Sequence, residues 1–394
     1  MADASNKAPE AAASEVKTDA PAKASSATAE QKPAAAVVKV PKKEPGPDSC
    51  TGIVYAHANK TIGMVIKKDV RVKAPGKREL LIKVLAASIN PVDYKLNTMP
   101  VVGLFQEGKT VGLDFCGEVL KIGHKVQNFK VGDHVYGFAN GSLAEYCIAE
   151  EAKVAAKPAK VDFKDAASLP VVAVTTYQAL KRNGVKEGSR LLVIGASGGC
   201  GLMGVQIGKS FGAHVVGVCS GKNAALVRAA GADEVIDYTQ TELPKALLAG
   251  GDKYFPGGER FDVVYDTVSS SDPVDHRYEP EVRQFLKPGT GRYVTINGAT
   301  GDALMGLLRT GIGLDLQRTG FDLVMCAPNS ADLKAVADLV DEGKIKPVIA
   351  GVHTMDEEGL RAGVELLKSR RAAGKIVYVP PAPPPQADPT DTAP

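Results

Sequence analysis

The 394-residue sequence has no apolar run approaching the roughly 20 residues needed to cross a bilayer, which argues against an integral membrane protein. It also lacks a charge of one prevailing sign: 48 Lys and Arg stand against 45 Asp and Glu, a net of +3. That balance argues against a nucleic-acid or membrane-surface role. No two of the cysteines Cys50, Cys116, Cys147, Cys200, Cys219 and Cys326 form a CxxC or any other tight metal-ligand spacing. Scattered thiols of this kind read as reduced, small core hydrophobes. The histidines show no catalytic arrangement, and there is no Gly-x-Ser-x-Gly elbow to raise a nucleophile.

Residues 1–48 contain no Leu, Ile, Phe or Arg, but hold 14 Ala and 7 Lys and end in a Pro-rich stretch. A segment this poor in apolar bulk does not offset its ordering entropy, so we expect disorder there, and again in the Pro-rich 381–394. The first segment carries seven Asp and Glu and no Arg, unlike a typical transit peptide, so a cytoplasmic protein is expected, with organelle targeting by this tail the less favoured alternative.

Between these tails the pattern changes once. From about 50 to 160, short apolar stretches alternate with Gly and Pro turns: Gly52–Tyr55, Glu79–Val84, Asp114–Leu120 and Ser142–Ile148 each fit a strand. A small β-barrel is expected. From about 165, Val-rich strands without polar alternation (Leu191–Gly195, His214–Cys219, Glu234–Asp237, Phe261–Tyr265, Arg292–Ile296, Phe321–Met325) alternate with helical runs such as Gly201–Phe211 and Asn223–Ala230. That rhythm predicts an α/β, doubly wound parallel sheet. Helices over Ala331–Glu342 and Glu357–Arg371 and a strand over Gly374–Val379 complete the chain.

The most informative stretch is Leu191-Leu-Val-Ile-Gly-Ala-Ser-Gly-Gly-Cys-Gly-Leu-Met-Gly204. An apolar strand enters a glycine loop and a helix leaves it, the arrangement that lets backbone N–H groups and a helix N-terminus hold a pyrophosphate. Ser197, Gly198, Gly199, Cys200 and Gly201 are therefore candidate cofactor contacts. At the end of the following strand an NAD site needs a carboxylate for the ribose hydroxyls. Here the sequence reads Cys219-Ser220-Gly221-Lys222, a hydroxyl and an ammonium suited to the 2′-phosphate of NADPH. Tyr238, after the third strand, is a candidate for the same adenosine end.

Three further stretches, Ala87-Ser-Ile-Asn-Pro-Val-Asp-Tyr-Lys95, Val111-Gly-Leu-Asp-Phe-Cys-Gly-Glu-Val119 and Val131-Gly-Asp-His-Val-Tyr136, precede that loop in order. Together these motifs resemble the medium-chain dehydrogenase/reductases over about residues 50–380. They look most like the zinc-free, zeta-crystallin-like quinone oxidoreductases, including the chloroplast-envelope homologues and the reticulon-interacting mitochondrial reductase. The resemblance implies a GroES-like catalytic domain over 49–171, a Rossmann NADPH-binding domain over 172–327, and a return segment of the catalytic domain over 328–380. It also implies where a catalytic zinc would need its ligands. This chain has Ser88-Ile-Asn90 and Gly112-Leu-Asp114 there, with no thiolate or imidazole, and no four-cysteine lobe follows Tyr136. A zinc-independent enzyme is expected.

The reaction so implied is hydride transfer from NADPH to a quinone or to the β-carbon of an α,β-unsaturated carbonyl. The resemblance brings Asn90, Asp93, Tyr94 and Lys95 to the nicotinamide as catalytic candidates, with Asn90 donating to the substrate or the ribose and Tyr94 or Lys95 to the enolate or hydroquinone oxygen. For Asp93, a local cap is the alternative, and for Thr175 a bond to its own helical turn. Thr175 and Asn297 would meet the nicotinamide side, and Lys375 the adenosine phosphate. Two other functions stay open: an enoyl-thioester reductase, or an idle NADPH-binding structural or interaction protein. A homodimer through the sheet edge at Phe321–Cys326 is expected.

Overall fold

The computed structural model describes residues 47–57, 62–98, 103–270, 276–297 and 320–381. Most of both tails expected to be disordered lies outside them.

The chain begins with a two-stranded antiparallel sheet of β1 (Ser49–Tyr55) and β2 (Met64–Arg71). β3 (Glu79–Ile89) runs five residues past the expected end, because Ala86, Ala87, Ser88 and Ile89 are also buried and paired. Helix α1 (Pro91–Thr98) follows, then β4 (Asp114–Ile122), β5 (His134–Phe138), β6 (Tyr146–Glu150) and β7 (Val154–Ala156). The stretch expected to open β6 at Ser142 instead passes close to β1: Gly52 bridges Ala144, and a Cβ on Gly52 would lie 2.8 Å from the Ala144 methyl.

Helices α2 (Phe163–Ala167) and α3 (Pro170–Arg182) lead into the parallel part. Its strands are β8 (Arg190–Ile194), β9 (His214–Cys219), β10 (Glu234–Asp237), β11 (Val263–Asp266), β12 (Arg292–Thr295) and β13 (Phe321–Leu323). Between them lie α4 (Gly199–Ser210), α5 (Ala224–Ala229), α6 (Leu243–Gly250) and α7 (Glu279–Val282). The strands line up as β10-β9-β8-β11-β12-β13, all parallel. This is the doubly wound order that leaves a crevice at the strand C-termini where the winding reverses, between β8 and β11. The all-apolar strands expected from the sequence are covered on both faces, with Leu191, Leu192, Val193, Val215, Val216 and Val264 fully buried.

The chain then returns through α8 (Ser330–Asp341), β14 (Ile349–Thr354), α9 (Glu357–Lys368) and β15 (Lys375–Val379). β15 pairs with β3, so the larger sheet reads β14-β15-β3-β4-β5-β7, with β6 also on β3. Tyr136 on β5 seals the join by donating its buried hydroxyl to the Leu333 carbonyl at 2.5 Å. Helix α9 stops three residues short of the expected Arg371. Arg370 adopts φ +57°, the left-handed turn that ends the helix and redirects the chain. Among the described residues no helix is long and apolar enough to cross a membrane.

Candidate nucleotide and substrate site

One cavity of about 1580 Å³ opens at the C-terminal ends of the parallel strands, lined there by Ile194, Val218, Thr267, Ile296 and Val324. Asn90, Tyr94, Lys95, Phe138 and Lys375 line it from the barrel side. It exceeds the 300–1,000 Å³ or so usual for one small ligand, leaving room for a dinucleotide and a substrate together.

The glycine loop is shaped as the sequence predicts, although α4 starts at Gly199, two residues early. Gly195 turns at φ +77°, and Gly198 donates its N–H to the Gly195 carbonyl at 3.0 Å. A Cβ on Gly201 would come within 2.0 Å of that carbonyl, so only glycine lets the helix start so close to β8. Gly201 is thus a packing glycine outside the cavity lining, whereas Ser197, Gly198, Gly199 and Cys200 do line it. Gly198 caps α4 without a side-chain hydrogen bond. The first-turn amides therefore face the cavity with no intrahelical acceptor and a positive dipole end, which fits a pyrophosphate. Burial pushes the Cys200 thiol up to about 11, so this loop cysteine stays protonated.

At the adenosine end, Ser220, Lys222 and Tyr238 all reach the cavity, and Asn223 donates to the Ser197 hydroxyl at 3.0 Å, tying this turn to the glycine loop. The structure adds a carboxylate invisible to the strand-end rule. Asp237, from the next strand, also lines the cavity. It accepts from the Thr239 hydroxyl at 2.7 Å and the Thr239 amide at 2.9 Å, and these bonds, with a lesser one from the Gly221 amide, stabilise its anion and lower its pKa. Register explains the omission: β10 pairs Asp237 beside Cys219, so a residue 18 positions on faces the same turn.

At the other end, Thr175 is buried on α3, its hydroxyl beside the Cys326 thiol and without a hydrogen-bond partner among the described residues. It is not bonded to its own helical turn; the neighbouring Thr176 is not either, but finds partners on other elements, the Cys200 carbonyl at 3.3 Å and the Tyr265 hydroxyl at 3.0 Å. An orphaned hydroxyl on the cavity wall fits a missing polar ligand. Asn297 lines the same wall and donates to the Thr267 carbonyl at 3.4 Å.

Two expectations are corrected. Asp93 does not reach the cavity: on the first turn of α1 it is buried, and its carboxyl accepts from the Asn90 amide at 2.7 Å, a local cap. Lys375, expected at the adenosine phosphate, sends its ammonium the opposite way. It donates to Asn90 Oδ1 at 2.5 Å, the Ile89 carbonyl at 3.1 Å and Asp114 Oδ2 at 3.1 Å. Sequence reasoning missed Asp114 as the centre of this cluster. Its Oδ2 also accepts from Ser88 at 2.8 Å and Asn90 Nδ2 at 2.9 Å, and its Oδ1 accepts from the Val171 amide at 2.8 Å. The missed signal was the polar residue in the otherwise apolar Leu113-Asp-Phe-Cys116. Arg370 and Arg371, on the cavity rim, were also missed.

Comparison with known proteins follows this geometry. A family described as "Alcohol dehydrogenase GroES-like domain" matches residues 76–159, and one described as "Zinc-binding dehydrogenase" matches 230–377. The 2-methylene-furan-3-one reductase of Solanum lycopersicum is 32% identical over 334 residues, covering 80% of this chain and 76% of that one. The chain belongs to the medium-chain dehydrogenase/reductase superfamily of oxidoreductases. A chloroplastic quinone-oxidoreductase homolog of Spinacia oleracea is 31% identical, over 79% of this superfamily member and 93% of its own length. The solved quinone oxidoreductase of Coxiella burnetii superposes with a TM-score of 0.68 at 28% identity, over 84% and 98% of the two chains. The expected fold, a GroES-like barrel with a nicotinamide-type Rossmann sheet, is thus the observed one.

The buried Asp93 makes this superfamily member's stability pH-dependent. Burial, reinforced by the nearby Asp114 charge and opposed by hydrogen bonds and Lys375, raises its carboxyl to about 7. The folded state therefore keeps a proton that the unfolded chain releases in the ordinary carboxylate range. Stability from this group is full at low pH and falls as pH rises towards 7, by up to about 1.4 kcal/mol per unit. Asp93→Asn preserves the acceptor and removes the titration. Thermal melts from pH 5 to 8 are expected to show the variant gaining on the wild type as pH rises; a constant gap would refute the assignment.

Proposed function

We propose that this protein is an NADPH-dependent, zinc-independent reductase of quinones or of α,β-unsaturated carbonyls. The observation that carries the reading is the single cavity joining an open helix N-terminus at Gly198–Gly199 to the buried polar end at Asn90 and Thr175. The substrate classes are those named for the Solanum reductase and the quinone oxidoreductase relatives.

Gly198, Gly199, Cys200 and Ser197 would hold the pyrophosphate, Ser220 and Lys222 the 2′-phosphate with Tyr238 beside them, and Thr175 and Asn297 the carboxamide end. The bound cofactor supplies a hydride, which goes to the β-carbon of an enone or to the quinone ring. The electron pair displaced by the hydride moves onto the carbonyl oxygen, and one proton completes the product. Asn90 stabilises that oxygen by donation. Tyr94 and Lys95, half-buried on α1 and lining the cavity, supply the proton or relay it from water. The Asp237 carboxylate favours NADH on simple grounds, but Thr239 and Gly221 already occupy three of its acceptor positions, while Lys222 remains exposed at the rim. NADPH is the reading we adopt.

Zinc independence rests on the donor set. Asp114, Asn90 and Ser88 converge where a metal would sit in a zinc enzyme, and a lysine ammonium already neutralises that carboxylate. Among the described residues no group of three or more His, Cys, Asp or Glu is gathered to hold a metal. The outer edge of β13, paired only to β12 among the described residues, is where two copies would join as a dimer.

The test is NADPH oxidation with duroquinone and with methyl vinyl ketone. Turnover of at least one is expected; tight NADPH binding with turnover of neither would favour the idle binding protein. Lys222→Ala is expected to weaken NADPH binding about tenfold or more and NADH binding hardly at all; equal losses by calorimetry would remove the phosphate assignment. Dialysis against a chelator is expected to leave the rate unchanged, and activity lost then restored by zinc would overturn the metal-free reading.

A further inference from the structure

The cluster around Lys375 has features that binding a phosphate does not explain. Its ammonium has three protons and spends all three, on the Ile89 carbonyl, Asn90 Oδ1 and Asp114 Oδ2. Asn90 is held from both sides: its carbonyl oxygen faces a donor-only ammonium, and its NH2 faces an acceptor-only carboxylate at 2.9 Å. Turning the amide over would set NH2 against NH3+ and oxygen against carboxylate, so one orientation is enforced. Asn90 lines the cavity, and the Asp93 carboxyl is the competing acceptor for its remaining N–H. Burial works against charge on Asp93 and so weakens its claim on that proton.

The lysine stem has a second contact. A Cβ on Gly199 would lie 3.2 Å from Lys375 Cδ, and Gly198 bridges Gly374 in parallel register. One side chain therefore touches the backbone of the nucleotide loop with its stem and orients Asn90 with its tip. We infer that Lys375, with Asp114 as its counter-charge, is a positioning residue. It holds the Asn90 amide with N–H outward as the donor to the substrate oxygen that gains charge on hydride delivery, and it ties that amide to the nucleotide loop. The inference rests on the reductase reading above and names how its Asn90 is aimed.

The test is a double-mutant cycle joined to a measurement that needs no turnover. Lys375→Met is expected to lower kcat for the turned-over acceptor about tenfold or more while leaving the NADPH Kd within a few-fold. In an Asn90→Ala background the same change is expected to cost almost nothing further, because both act through one amide. An equal kcat loss in both backgrounds, or none in either, overturns the inference. Should Lys375→Met alone fold poorly, Lys375→Met/Asp114→Asn removes both charges, keeps one oxygen to accept from the Val171 amide and offers an NH2 that the Ser88 hydroxyl can accept, and it serves in the same cycle. Independently, side-chain amide NMR of asparagine-labelled, cofactor-free protein, with the Asn90 pair assigned by its loss in Asn90→Ala, should show protected, inequivalent Nδ2 protons. Protection unchanged in Lys375→Met, or in the double variant, overturns the inference even where no acceptor is turned over. Wild-type protein that reduces neither acceptor would instead remove the reductase reading and leave the amide orientation to be read by NMR.

Discussion

A lysine ammonium buried against a carboxylate, at the place where the barrel sheet meets the nucleotide loop, is the constraint around which this molecule is arranged. Lys375 and Asp114 are both almost fully removed from water, which is tolerable only because each hydrogen-bonding position is filled. Breaking one partner would leave a buried charge, a change that typically costs several kcal/mol. The pair draws together three separate parts of the chain: the end of β3 through Ser88, Ile89 and Asn90, the start of α3 through the Val171 amide, and the returning β15. A surface ion pair in the same protein, such as Lys334 with Asp338, has no comparable hold, because water screens it and replaces it.

From that junction the site follows by geometry. α4 opens against β8 because Gly195 and Gly201 allow a backbone approach that any side chain would block. Its uncapped first turn faces the same space as Thr175 and Asn90. A dinucleotide laid along the cavity would have its charged middle over the amides and its reactive end beside a buried, oriented donor. Electrostatic stabilisation of this kind is effective because the donor is already in place before charge appears.

The cysteines illustrate how position governs chemistry in a protein proposed to handle electrophiles. Cys200 and Cys326 both border the cavity, and burial raises both thiols, Cys200 to about 11 and Cys326 to about 12. A thiol, unlike a thiolate, is a poor nucleophile. The same desolvation that sharpens the site thus protects its cysteines from the kind of substrate proposed for it.

The sequence by itself determined the local elements and the nucleotide loop. Strands such as Leu191–Gly195 and helices such as Asn223–Ala230 are specified by apolar periodicity and glycine stops, which act over a few residues. The Ser220-Gly-Lys222 turn was legible for the same reason, since it follows its strand directly. Only the tertiary structure decided that Asp237 faces that turn, that Asp93 is a cap turned from the cavity, and that Lys375 serves Asn90. The first depends on strand register and the last on residues 285 positions apart meeting in the core, whereas the Asp93 cap is itself local, three residues from Asn90, and the fold decides only that it is buried. A buried charge chooses its partner by what the fold brings within hydrogen-bonding distance, and no local pattern in the chain carries that information.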